Sequence, residues 1–237
     1  GVIFVALGFA IAFRANGQHE GAAVAMAAAL LHVLNHSWFK SLLFLGAGAV
    51  LHATGRRDLD GLGGLIHRMP RTAAFFLVGA LAASALPPLN GFVSEWLLFQ
   101  AVIAAPALPQ EALQFASPAI GAMLALAAAL AAACFVRVYG TAFLGRPRSV
   151  EAAGAHDVPL VQQAAMGGLA LLCILGGLLG GVLGMGLAPV LVDLVGEGLP
   201  RAGSGPTAFS LVAFDPARSI YDAPIIALFV AIASLTT

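Results

Sequence analysis

Long apolar segments with almost no charge, separated by short polar stretches, constrain this chain more than any other feature. A helix needs about 20 apolar residues to cross the hydrocarbon core of a bilayer. Segments of this length favour helices, because a membrane barrel is built from strands of about ten residues with alternating polarity. The sequence therefore predicts an all-α fold, a polytopic membrane helix bundle.

Composition narrows the choice of surroundings and partners. Hydrophobic residues make up 60% of the chain and charged residues only 9%, and the formal net charge is zero. Since no basic block that would neutralise phosphates is present, nucleic acid is excluded as a partner. We expect the chain to be embedded in a lipid bilayer.

Six segments fit the length of a membrane crossing, if the first and last are taken as truncated. They are predicted at residues 1–13, 21–52, 72–105, 118–144, 160–195 and 223–237. Because the chain lacks an initiator Met and both its ends are apolar, we expect a single transmembrane domain that is a fragment of a longer protein.

The third segment contains "SALPPLNGF" at its centre. Pro87 and Pro88 lack backbone N–H groups and clash with the preceding turn, so a continuous helix is not expected there. Asn90 is predicted to be the N-cap of the helix that follows, and Gly91 its next residue. The sequence thus predicts one helix broken at residues 87–91, near the middle of the membrane.

Arginines are concentrated in alternate loops, at residues 54–71 and 145–159. They are Arg56, Arg57, Arg68, Arg71, Arg146 and Arg148. The loop between the third and fourth segments has neither Lys nor Arg. Because cytoplasmic loops carry the excess of basic residues, both arginine-containing loops are predicted to be cytoplasmic.

His32, His36 and Lys40 are spaced by four residues within the second segment, which places them in one stripe along a helix. A Lys at the centre of a membrane helix costs about 2.5 to 3.5 kcal/mol, so the stripe should face protein or a hydrated cavity. Snorkelling is the alternative for Lys40, but residues 41–51 are all apolar or small. The histidines either relay protons or only hydrogen-bond to a neighbouring helix. A metal site is not predicted, since no third ligand is near.

Glu95 is the second intramembrane charge, and it follows the predicted break by one helical turn. The helix dipole favours its ionised form and burial opposes it, so the carboxyl group can be titratable. Intramembrane carboxylates mark ion paths, although a structural pair with a Lys is the alternative.

No cofactor site is predicted. Neither a GxGxxG nor a GxxxxGK[ST] motif is present, and Cys134 and Cys173 form no CxxC pair. Glycines repeated at four-residue spacing, such as Gly176 and Gly180, predict close helix packing instead. We therefore expect no catalytic redox site in this chain.

Three stretches together resemble the antiporter-like membrane subunits of respiratory complex I and its relatives, and most closely the subgroup of hydrogenase 4 and formate hydrogenlyase. They are "HVLNHSWFKSLLFLGAG", "RDLDGLGGLIHRMP" and "FLVGALAASALPPLNGFVSEW", and "AHDVP" at residues 155–159 also resembles that subgroup.

The resemblance implies a bacterial inner-membrane subunit that translocates protons and works with other membrane and peripheral subunits of a redox complex. It matches His32, His36 and Lys40 to the family's polar helix in a second repeat, and Glu95 to the charged residue of the broken helix. The first repeat is expected to be missing from this chain. Three alternatives stay open: a multisubunit cation/proton antiporter, a structural anchor for a soluble redox module, and a polytopic membrane enzyme.

Overall fold

The computed structural model describes residues 1–200, 208–215 and 217–235, and helices dominate these residues. The helices are α1 (Val2–Ala15), α2 (His19–Thr54), α3 (Pro70–Ala83), α4 (Asn90–Ala104), α5 (Glu111–Phe143), α6 (Val150–Ala153), α7 (Leu160–Leu178), α8 (Gly180–Val195) and α9 (Ala223–Leu235). Three 3₁₀ turns occur at Leu59–Gly61, Leu65–His67 and Ala105–Ala107. Two short antiparallel strands, β1 (Ser210–Val212) and β2 (Ile220–Asp222), pair Leu211 with Tyr221.

The predicted fold class, an all-α membrane helix bundle, is confirmed, and the predicted break separates α3 from α4. Within the described residues, α2, α5 and α7 are long and apolar enough to cross a membrane, and α1, α3, α8 and α9 are shorter apolar helices. The division of the chain into six crossings stays a prediction. Residues 236 and 237 of the last predicted segment lie outside the described residues.

Helix α2 is the central element of the bundle and contacts α1, α3, α4, α7 and α8. Its 36 residues correspond to a length of about 54 Å. The first half is rich in buried alanines, which let α1 and α4 approach closely, and the second half packs Leu42 and Leu43 against α3. Gly55 caps the C-terminus of the helix. Its backbone is left-handed (φ 68°), and its N–H donates a hydrogen bond to the Leu51 carbonyl.

Helices α3 and α4 are separated by residues 84–89, which include the two prolines. Ala85 adopts a left-handed conformation (φ 51°), an arrangement that costs an L-residue about 1 to 2 kcal/mol. Gly91 lets the first turn of α4 lie against the last turn of α3, because a Cβ there would collide with the carbonyl oxygen of Ala82. The break therefore turns the chain sharply while both helices remain packed.

The segment predicted as one helix at residues 160–195 consists of two helices, α7 and α8, interrupted at Leu179. This interruption packs on the first break: a Cβ at Gly177 would collide with the carbonyl of Pro88 and with Leu89. The fully buried Tyr221 of β2 donates its hydroxyl hydrogen to the Gly177 carbonyl at 3.1 Å. The glycines predicted to allow close packing are buried at this contact, so that prediction is confirmed.

The two arginine-containing loops pack against each other at one end of the bundle. Arg148 donates to the carbonyl oxygen of Leu62 at 2.6 Å, and Arg56 forms an ion pair of 3.3 Å with Glu151. A hydrogen bond from its own backbone N–H, followed by the contact with Arg56, holds the pKa of the exposed Glu151 carboxyl below its usual value. Both loops therefore lie on the same side of the bundle.

Asp157, in the "AHDVP" stretch, caps the N-terminus of α3, although it is distant from α3 in the sequence. Its carboxylate accepts hydrogen bonds from the backbone N–H groups of Arg71 (3.2 Å) and Thr72 (3.1 Å) and from the Thr72 hydroxyl (2.8 Å). The first N–H groups of a helix lack intrahelical partners, and an acidic group there satisfies them. Asp157 thus fastens the second loop to α3.

Asp157→Ala should lower the free energy of unfolding by about 1 to 2 kcal/mol, because the N-terminal N–H groups of α3 lose their acceptor. Thermal unfolding of the detergent-solubilised protein, followed by intrinsic fluorescence, measures this. Asp60→Ala, at an exposed position in the first loop, is the control and should leave the midpoint unchanged. Equal midpoints for both variants would contradict the capping role.

Gly177→Ala should also destabilise the protein, by about 1 to 3 kcal/mol, because its methyl group would push α7 away from the break. Gly168→Ala in the same helix meets nothing within 4 Å of the new methyl group, and the higher helix propensity of Ala should keep or raise its unfolding midpoint. The pair is compared by the same fluorescence measurement. A Gly177→Ala variant as stable as Gly168→Ala would show that the two breaks are not tightly packed.

Candidate functional site

A cavity of about 230 Å³ lies between α2, α4 and α5, and four ionisable side chains line it. They are His32, His36 and Lys40 from α2 and Glu95 from α4. The stripe predicted on α2 and the carboxylate predicted after the break thus reach the same space. The structure brings together all four residues singled out as candidates from the sequence.

The remaining walls of the cavity are apolar and partly made of small side chains. Helix α5 contributes Ala127, Ala128 and Ala131, between the larger Leu124 and Phe135. Alanines on the facing helix leave room that bulkier residues would fill. Polar groups on two walls and a volume of this size suit several water molecules.

Along α2 the stripe runs from a buried end to a more open end. His32 is only 6% exposed, while His36 is exposed and Lys40 is partly buried. The rings of His32 and His36 are 6.0 Å apart between centroids, and both contact Phe39. The two histidines are therefore neighbours on the wall of the cavity.

Lys40 and Glu95 face the same cavity without being paired to each other. Neither forms an ion pair with any side chain in the described part of the chain. The Lys40 ammonium group instead lies 5.8 Å from the ring centroid of Phe44, within the range of a cation–π contact. The structural alternative for Glu95, a direct pair with this Lys, is therefore not seen.

Sequence reasoning missed a buried polar network behind the cavity. His32 Nδ1 lies 2.9 Å from Ser94 Oγ, and Asn35 Nδ2 donates to the carbonyl oxygen of Asn90 at 2.8 Å. Three of these residues are fully buried and His32 nearly so. The available signal was spacing: Asn35 follows His32 by one turn, and Ser94 follows Asn90 by one turn.

The prediction that Asn90 caps α4 is wrong. Leu89 occupies the N-cap position, and Asn90 is the first residue of the helix. The Asn90 side chain turns to α2, where its Nδ2 donates to Asn35 Oδ1 at 3.3 Å. Its own Oδ1 is buried and has no hydrogen-bond partner among the described residues. Asn90 therefore ties the broken helix to α2.

The other residues predicted for the break, Pro87, Pro88 and Gly91, are not among those that line the cavity. Both prolines fall between α3 and α4, and Gly91 begins the turn that presents Ser94 and Glu95 to α2. Without the interruption, the last turns of α3 would continue past the cavity instead of ending at Ala83, which contributes to its wall. The break thus sets where Glu95 enters the bundle.

His32 and His36 have no third metal ligand beside them among the described residues. Among residues 1–200, 208–215 and 217–235, no group of three His, Cys, Asp or Glu side chains is arranged to hold a metal ion. Cys173 is buried, whereas Cys134 is exposed on α5. The site is thus a set of ionisable side chains around a hydratable space.

Comparison with known proteins relates this geometry to a family. The family described as "NADH:quinone oxidoreductase/Mrp antiporter, TM" matches residues 7–136, more than half of the chain. The matched residues include α2, α4 and most of α5, and so all four ionisable side chains of the cavity.

Curated relatives and a solved structure agree with this match. Hydrogenase-4 component B of Escherichia coli (strain K12) is 45% identical over 175 residues, covering 74% of this chain and 26% of the relative. Formate hydrogenlyase subunit 3 of the same organism is 38% identical over 200 residues, covering 84% and 32%. The archaeal membrane-bound sulfane sulfur reductase complex contains a chain with a TM-score of 0.71 and 27% identity, covering 90% and 32%.

The chain spans about a third or less of the length of each of these proteins. The residues matched by the family nevertheless contain α2, the break between α3 and α4, and the four ionisable side chains of the cavity. The chain belongs to the NADH:quinone oxidoreductase/Mrp antiporter family of membrane proteins.

Proposed function

We propose that this chain is part of a proton-translocating membrane subunit of a respiratory redox complex, of the hydrogenase 4, formate hydrogenlyase or NADH dehydrogenase type. The observation that supports this most is the cavity shared by Lys40, His32, His36 and Glu95 within a membrane-embedded bundle. Ionisable groups are costly at this depth and mark proton paths when they face a hydrated space. Family membership supports the same function.

Each group has a role that its chemistry allows. Lys40 holds and releases a proton, since its ammonium group is not neutralised by an ion pair with any described residue. His32 and His36, which are neighbours on the cavity wall, relay the proton through water in the cavity. Glu95, on the facing helix, accepts the proton on its way to one side of the membrane.

The free energy for transport must come from outside this chain. Moving one charge against 100 mV costs about 2.3 kcal/mol, and the four groups alone provide no such gradient. We assign electron transfer to other membrane and peripheral subunits of the complex and no redox cofactor to this chain. The neighbouring subunits then drive translocation by changing the local field or conformation around Lys40.

We also propose the bacterial inner membrane as the location, with residues 54–71 and 145–159 in the cytoplasm. The six arginines of these loops support this orientation. The packing of the two loops against each other supports a common side.

A second candidate is a subunit of a multisubunit cation/proton antiporter, which the family description favours by naming Mrp antiporters. The same four groups would serve it, with a metal cation exchanged for protons. A third candidate is a structural anchor for a redox module, in which the polar groups only hold helices together. Ion dependence and variant activity separate these three functions.

Lys40→Ala and Glu95→Gln should each reduce proton uptake by the assembled complex roughly tenfold or more, because neither replacement can carry a proton. Uptake is measured with a pH-sensitive dye in vesicles containing the full-length subunit in its complex, after addition of the electron donor. Glu111→Gln, at the exposed start of α5, is the matched control and should pump normally.

The outcomes of this experiment distinguish the candidates. Normal uptake by both variants, with assembled complex, would overturn the relay and favour the anchor. Uptake that requires added Na⁺ or K⁺ would favour the antiporter. Electron transfer measured in parallel shows whether a loss belongs to pumping or to the redox reaction.

The proposed orientation predicts from which side of the membrane an impermeant reagent can label each loop. With Cys134 and Cys173 replaced by Ser, Arg57→Cys should react with a membrane-impermeant maleimide only in inside-out vesicles. Gln110→Cys, in the loop without basic residues, should react only in right-side-out vesicles. The reverse pattern would invert the orientation.

A further inference from the structure

Ser94 is the point at which the polar network meets the histidine that lines the cavity. Its hydroxyl oxygen lies 2.9 Å from His32 Nδ1, 3.4 Å from Asn35 Nδ2 and 3.1 Å from the carbonyl oxygen of Gly91. The Ser94 side chain is fully buried. All its hydrogen bonds are therefore made with protein groups whose donor or acceptor character can be counted.

A hydroxyl group has one hydrogen to donate and can accept two hydrogen bonds. The Gly91 carbonyl can only accept, so it takes the single hydrogen of Ser94. The Asn35 Nδ2 group can only donate to Ser94. All three contacts are hydrogen bonds at the same time only when Ser94 accepts from His32, which places the hydrogen on Nδ1.

We infer that Ser94 is a positioning residue that fixes neutral His32 as the Nδ1–H tautomer and leaves Nε2 to bind and release the proton. This assignment of the working nitrogen rests on the proposed relay function. When Nε2 gains a proton, Nδ1 still donates to Ser94. The histidine can thus change its charge without rotation of the hydroxyl or rearrangement of the network.

The asparagines hold Ser94 in its accepting role. Asn35 Nδ2 has two hydrogens, one for the Asn90 carbonyl at 2.8 Å and one for Ser94. The Asn35 amide is itself oriented, because its Oδ1 accepts from Asn90 Nδ2 at 3.3 Å. Because the Asn35 amide is held with its N–H toward Ser94, the hydroxyl oxygen stays an acceptor. Turning the Ser94 hydrogen toward His32 is therefore disfavoured.

The groups that can exchange a proton with His32 Nε2 lie on two helices. His36 and Lys40 are on the same helix, and Glu95 is on α4 next to Ser94. The residues that α5 contributes to the cavity are apolar, as are Val2 and Ala83 from α1 and α3. The tautomer thus decides whether the nitrogen that meets these partners, directly or through water, is free to accept a proton.

Solid-state ¹⁵N NMR of the histidine-labelled full-length subunit in bilayers, at a pH where His32 is neutral, tests the tautomer. The His32 signal is identified by its loss in His32→Gln. Wild-type protein should show Nδ1–H, and Ser94→Thr, which keeps the hydroxyl, should match it. Ser94→Ala should show a substantial Nε2–H population. A wild-type protein already in the Nε2–H form, or an unchanged tautomer in Ser94→Ala, would overturn the inference.

Proton uptake by the assembled complex adds a functional measurement. Ser94→Ala should slow uptake roughly two- to tenfold, the change expected from one hydrogen bond of average strength. Ser94→Thr should restore it. Ser117→Ala, which removes a buried hydroxyl that, among the described residues, bonds to its own helix alone, should leave uptake unchanged. Equal slowing by Ser117→Ala would assign the effect to general packing and contradict the positioning role.

The two proposals can fail separately. If Lys40→Ala and Glu95→Gln pump normally while Ser94→Ala changes the tautomer, the relay fails and the positioning of His32 stands. If proton uptake depends on Lys40 but the His32 tautomer is the same in wild type and Ser94→Ala, only the positioning role of Ser94 fails.

Discussion

The structure depends on one constraint: ionisable groups carried into a membrane must be enclosed by protein. Helix α2 carries three of them on one stripe, and exposing that stripe to lipid would cost several kcal/mol. The surrounding helices reduce this cost in two ways, most fully at the buried end of the stripe around His32. Helix α4 supplies buried polar partners for His32 and Asn35, and α5 covers the open side with small apolar residues that leave a cavity.

Two interrupted helices make this enclosure possible. At the start of α4, after the first break, the Asn90 carbonyl accepts a hydrogen bond from Asn35 at 2.8 Å, which ties the restarted helix to α2. The second interruption, after α7, packs on the first through Gly177. The Tyr221 hydroxyl donates a hydrogen bond to the Gly177 carbonyl. Irregular backbone is tolerated at membrane depth only where protein covers it. Each break thus helps to bury the other.

The sequence predicted the helical class, the break and the four ionisable residues, because those features follow from hydropathy, proline chemistry and the cost of buried charge. It did not predict the role of Asn90, since a side chain at a helix start can either cap its own helix or contact a neighbour. Only the tertiary structure, with Asn35 opposite, decides between them. The interruption at Leu179 was also missed, because glycine-rich apolar sequence is compatible with an unbroken helix.

The site is rigid at one end and adaptable at the other, which suits a relay. His32 is nearly buried and held by Ser94, so its orientation is fixed before a proton arrives. Lys40 and Glu95 have no ion-pair partner within the described residues and keep long, flexible side chains. If Lys40 and Glu95 were locked together, the proton would be held by a stable pair instead of being passed on. In the proposed relay, their separation across the cavity would let a change in the local field shift the proton from one group to the other.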